Sequence, residues 1–165
     1  MSELRTNKIY PRDGLPSGAS GGGIVQIVQN SLNSSGQVAT SSQSMQDSGL
    51  TATITPTSSS NKIYVVCTYN AATGNNTNSG LRATIYRGTI ASGTNLLSGG
   101  GQGSTISFSS AAGYIHDQCC IQVLDSPATT SAITYRLAFN SYSGQSVGLA
   151  KDWGGAWLTL MEVSG

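Results

Sequence analysis

Charge is scarce in this sequence. Only 9% of its 165 residues are Asp, Glu, Lys or Arg, where a soluble domain usually carries about 25%. Glutamate occurs twice, as Glu3 and Glu162, and histidine once, as His116. The net charge is +1 and the Lys and Arg residues form no run, so nothing follows a phosphate backbone and nucleic acid is not an expected partner. Long hydrophobic stretches are missing too. No segment approaches the roughly 18 apolar residues of a membrane span, and Met1–Arg12 lacks the apolar core of a signal peptide. The chain reads as made in the cytoplasm, with no membrane partner, and soluble until it assembles. Its Ser, Thr, Gly and Asn surface suits a protein packed among copies of itself, more than a freely diffusing enzyme coated in Lys and Glu.

Cysteine is limited to Cys67, Cys119 and Cys120, an odd number with a vicinal pair. Neighbours in a strand face opposite sides, so at most one of Cys119 and Cys120 reaches Cys67 for a disulfide. Buried small hydrophobes is the preferred reading of all three. One His and three Cys without paired C-x-x-C or H-x-x-x-H spacing give no metal site. The glycine run at 98–103 lacks the Gly-Lys-Ser/Thr ending of a phosphate loop, so no cofactor is expected. His116 beside Asp117 invites a Ser/His/Asp triad, but no nucleophile elbow accompanies it, and an exposed histidine is the simpler account. Asp117 and Asp125 flank one strand and stand too far apart for a glycosidase pair. The chain is expected not to be an enzyme.

Helical spacing is also absent. What is present is a series of short alternating or apolar runs separated by Gly, Ser, Asn and Pro: 24–29, 49–55, 62–69, 81–87, 104–108, 119–124, 133–140 and 156–163, with weaker runs at 37–45 and 145–149. The run at 62–69 is apolar on both parities and reads as a central strand covered on both faces. Loops 70–80 and 98–103 read as exposed. The expected fold is all-β, an antiparallel β-sandwich or jelly-roll-like knob over 24–165, with an extended N-terminal arm and glycine hinge over 1–23.

Five of the fifteen charges fall in the first 13 residues, around the apolar anchors Leu4, Ile9 and Leu15 and the stiffening Pro11 and Pro16. Such a peptide buries too little to fold alone and gains order by lying along a partner's groove or sheet edge. Among the aromatics, Trp157 reads as core within an alternating strand. Trp153 and Tyr142 are the candidates for stacking on a glycan.

The segment LRTNKIYPRDGLPSGASGGGIVQIVQ resembles the amino-terminal part of small virion proteins of marine and cyanobacterial tailed phages. Further stretches, LTATITPTSSSNKIYVV, IYRG, LDSPATTSAITYRLAF and LTLMEVSG, resemble the same group, so the likeness covers most of the chain outside 70–80 and 88–118. The resemblance implies a structural protein displayed on the virion: an attachment peptide followed by a β-rich, homotrimeric knob. Carried over residue by residue, the particle anchor comprises Leu4, Arg5, Thr6, Asn7, Lys8, Ile9, Pro11, Arg12, Asp13 and Gly14. No repeat-rich shaft follows the arm, which favours a decoration, cement or head-fibre-like protein close on the major capsid protein or on a tail adaptor. The alternative is a short tail fibre that recognises a host surface glycan, with Tyr142 and Trp153 in contact. A glycan-cleaving tail enzyme is the third and weakest reading.

Overall fold

The alternating runs pair into two antiparallel sheets in a computed structural model that describes residues 23–74, 78–97, 105–109, 115–150 and 154–165. In chain order the strands are β1 (Ile24–Leu32), β2 (Val38–Thr40), β3 (Gln46–Ile54), β4 (Lys62–Thr73), β5 (Ser79–Arg87), β6 (Thr94–Asn95), β7 (Thr105–Ser109), β8 (Ile115–Asp125), β9 (Ile133–Ser141), β10 (Val147–Leu149) and β11 (Ala156–Val163). No α-helix occurs among the described residues.

In the first sheet β11 lies between β1 and β4, and β8 takes the other edge of β4. β10 pairs with the last residues of β4, end to end with β11, and carries β2 on its outer side. The second sheet runs β3-β9-β5, with β6 and β7 on the far edge of β5. Three strands, β2, β6 and β10, are only two or three residues long. Without them eight strands remain, in the orders first-eighth-third-sixth and second-seventh-fourth-fifth. That is a long hairpin, paired 1 with 8, 2 with 7, 3 with 6 and 4 with 5, rolled into a sandwich. The architecture is a jelly roll.

The core fills the space between the sheets. From β4 come Ile63, Val65, Cys67 and Tyr69, from β11 Leu158 and Leu160, and from the second sheet Leu50, Ile85, Leu137 and Phe139. Each large apolar side chain so buried contributes about 1.5–3 kcal/mol. β3 departs from regular pairing between Asp47 and Thr51. Gly49 adopts φ +79 there, and buried Ser48 donates to Leu137 O at 2.7 Å, so this bulge is built from a glycine turn and a buried hydroxyl.

The structure corrects several boundaries. β4 continues to Thr73 and β5 starts at Ser79, and Ala71, Ala72, Thr73, Ser79 and Gly80 are buried. Residues 70–80 are therefore not a wholly exposed loop: the small side chains of Ala71 and Ala72 let β4 run on between β8 and β10. β8 begins at Ile115, which puts His116 and Asp117 in a strand. Nor is β4 covered on both faces, because Tyr64, Val66 and Thr68 on its outer side are half-buried. Of the arm and hinge expected over 1–23, residues 1–22 lie outside the described residues.

Candidate functional site

Strand parity in the first sheet assigns its two faces. Ile63, Val65, Leu158 and Leu160 point inward, so their neighbours Tyr64, Val66, Trp157, Thr159 and Met161 point outward. The pairing register then aligns a cross-strand row, Ile27 to Met161 to Tyr64 to Leu124. Ile24 and Val163 flank it on one side, while Gln29, Thr159, Val66 and Gln122 form the next row. Exposure is high for large apolar groups: 59% for Ile27, 57% for Ile24, 52% for Leu124 and 39% for Trp157. Lys62 is the one formal charge in these rows. Side-chain hydrogen bonds from Tyr64 to Gln122 Oε1 at 2.7 Å and from Gln29 to Thr159 Oγ1 at 2.8 Å hold the polar members flat on the sheet. This face thus combines little charge with three exposed large aliphatic groups, Ile24, Ile27 and Leu124.

Trp157 is on this face, not in the core. Its ring lies against Gly155, whose missing Cβ would sit 3.2 Å from the ring. Close by, the chain leaves the edge of β4 between β10 and β11. The neck of this excursion is closed by the Asn70 backbone, whose N–H donates to Gly155 O at 3.1 Å and whose O accepts from Ala150 N at 2.9 Å. Ala150 opens the excursion with φ 53. Trp153, one of the two glycan candidates, lies outside the described residues. Tyr142 is 43% exposed, and the Arg82 guanidinium stands 4.3 Å from its ring centroid, occupying one face of the ring.

Two buried polar clusters escaped the sequence reading, and both join segments far apart in the chain. Glu162 is fully buried. It accepts from Asn61 Nδ2 at 2.6 Å, Gln26 Nε2 at 2.5 Å, Thr57 N at 2.7 Å and Thr57 Oγ1 at 2.8 Å. Burial alone would raise its pKa, but the donors from Asn61, Gln26 and Thr57 outweigh that and bring it down to about 2. At the same end of the sandwich Asp125 receives Arg87 Nη1 at 3.0 and 3.1 Å and the Tyr135 hydroxyl at 2.7 Å, which ties β8 to β5 and β9 across the two sheets. Burial, with Asp125 beside it, raises the Tyr135 pKa. In both clusters every carboxylate serves as a held acceptor.

The three cysteines are free. Cys67 is buried as expected, Cys119 is half-buried, and Cys120 is exposed on the outer face, which corrects the reading of all three as buried. Cys67 pairs in register with Ile121, so neither of the vicinal cysteines stands opposite it. Asp117 and Asp125 sit on one strand, eight positions apart, and do not converge. The described residues contain no cluster of His, Cys, Asp or Glu that would hold a metal ion. The anchor residues Leu4 to Gly14 lie outside the described residues.

No protein-family model matches the chain. No curated protein matches it in sequence. Among solved structures it is similar to the VP2 subviral particle of infectious bursal disease virus, at 12% identity and a TM-score of 0.42 over 84% of this chain and 39% of that one. The Gx strain of the same virus gives 11% identity and 0.40 over 85% and 40%, and the Gt strain 10% and 0.38 over 85% and 40%. The chain thus spans about two fifths of the length of these neighbours. The jelly roll assigned above rests on the strand pairing itself.

Proposed function

We propose that this protein is a non-enzymatic structural component of a bacteriophage particle, a decoration or cement protein that assembles with copies of itself and is tethered by its N-terminal arm. The observation that carries this reading is the outer face of the first sheet. The row Ile27–Met161–Tyr64–Leu124 is exposed at its two ends and half-buried between them, carries no charge, and begins at the strand that follows the arm. A second copy is the partner such a face fits best: it brings no opposed charges, and oppositely charged partners would find only Lys62 to grip. Homotrimers pack such surfaces around a three-fold axis. On a shell the arm would engage the major capsid protein, and many weakly held copies would reinforce the lattice together.

The full chain is expected to sediment as a trimer at micromolar concentration. Ile27→Asp combined with Leu124→Asp should convert it to a monomer with an unchanged far-ultraviolet spectrum. Deletion of Met1–Gly18 should leave the trimer intact and abolish incorporation into particles. A monomeric wild type, or normal incorporation without the arm, would overturn the proposal. The alternative, a short tail fibre, predicts few copies confined to tails in place of many on isolated heads.

A further inference from the structure

We infer that the free edge of β8 pairs with β8 of a second copy, antiparallel about a two-fold axis, so that the first sheet continues from one molecule into the next. β1 and β8, the long strands at the two edges of that sheet, are finished differently. β1 is guarded. Its register shifts between Ile24 and Gln26, and its side-chain amides reach across to the second sheet, Gln26 Nε2 to Thr55 O and Asn30 Nδ2 to Thr51 O, both at 2.7 Å. β8 has no such guard. Its eleven residues pair with β4 in unbroken register, from Ile115 opposite Thr73 to Asp125 opposite Ile63. Among the described residues no other strand pairs with it, and no turn or loop backbone bonds to it. It contains neither Pro, Lys nor Arg, the residues that often blunt an exposed edge, and His116, Gln118, Cys120, Gln122 and Leu124 are exposed along it.

The occupant is another β8 because the strand is complementary to itself. A two-fold contact sets residue i against j and j against i. The register that uses all eleven residues is centred on Cys120, and it places Gln118 against Gln122, Cys119 against Ile121 and His116 against Leu124. Faces are kept. Exposed Gln118, Cys120 and Gln122 stay on the outer face, while half-buried Cys119 and Val123 gain cover on the inner one. No carboxylate meets another: Asp117 falls opposite Val123, and Asp125, opposite Ile115, is already held by Arg87 and Tyr135. The two Cys120 residues meet directly, at the roughly 4.5–5.5 Å between Cα atoms of opposed residues, within the range a disulfide spans. One strand pair is smaller than the roughly 1,200 Å² of a stable complex. It therefore links copies that a shell already holds side by side, which deepens the proposed structural role and rests on it for that setting alone.

The test is oxidation of the full chain with copper phenanthroline over a concentration series, in which two thiols become a disulfide and give up two protons and two electrons to the oxidant. A dimer linked Cys120 to Cys120 is expected on a non-reducing gel, identified by peptide mass mapping and absent from Cys120→Ser. Gln118→Lys combined with Gln122→Lys sets like charges directly opposite at two places, and should abolish the dimer with an unchanged far-ultraviolet spectrum. Gln118→Glu combined with Gln122→Glu should do the same. Mixing the two variants opposes Lys to Glu at both places and should restore a dimer with one chain of each. Ile27→Asp, on the other edge of the sheet, should keep the dimer, so sedimentation reports the proposed trimer face and the crosslink reports the β8 edge. Deletion of Met1–Gly18 should keep it too, and its loss there would assign the edge to the arm. That loss, no Cys120–Cys120 link at any concentration, or undiminished linking in the doubly substituted variants would overturn the inference.

Discussion

Two of the thiols differ enough to be told apart by chemistry. Burial raises the Cys67 pKa to about 12, with a smaller contribution from Cys120, whereas Cys120 itself is exposed. A maleimide added to the native protein should therefore label Cys120 first and leave Cys67 untouched until denaturant is added. Mass mapping of the labelled peptides checks this, and rapid native labelling of Cys67 would contradict its place in the core. Glu162 is the other residue with a measurable signature. Its pKa falls from 4.5 to about 2, so its stabilisation is complete above the ordinary glutamate value and is lost as pH falls from about 4.5 through 2. Glu162→Gln places an amide against donors that need an acceptor. It should cost about 1–3 kcal/mol at neutral pH and flatten the acid limb of the melting profile in that window. Glu162 also explains why Trp157 was misread. In β11 one parity carries Ala156, Leu158, Leu160 and Glu162, and the other Trp157, Thr159, Met161 and Val163. Alternation alone does not choose between two largely apolar faces, and a lone glutamate argues for the wrong one unless its donors from distant segments are known.

At the scale of elements, the two sheets are pinned by contacts that no single strand reveals. Arg87 ends β5, Asp125 ends β8, and Tyr135 sits near the start of β9, so their meeting fixes how the sheets cross at that end. Asp125→Ala would strand both partners. It should destabilise by about 3 kcal/mol, the low end for breaking a buried pair because Arg87 is 28% exposed. Chemical denaturation of the folded protein measures this directly, and an unchanged midpoint would show that the clamp carries no stability. The existence of the long strands was legible in the sequence, because period-two alternation bounded by Gly, Ser and Pro has few other readings. The ends of β4 and β8 were not. Ala71, Ala72 and Thr73 resemble loop residues until β10 and β8 are seen to pair beside them.

For the molecule as a whole, the class of fold followed from the number and spacing of the strands, but their order did not. Which strands pair is decided by contacts across most of the chain, such as Ile24 opposite Val163, and a single sequence shows no such partner.

The placement of β11 between β1 and β4 has a consequence for how the protein is born. A ribosome can release β1 through β9 and still leave the first sheet without the strand that joins its halves. Nascent chains must then hold exposed β edges open until β11 has emerged, and closure is slow, on the order of milliseconds to seconds for such non-local topologies. Until then the chain's unpaired edges, with few charges to guard them, are open to pairing with a neighbouring chain.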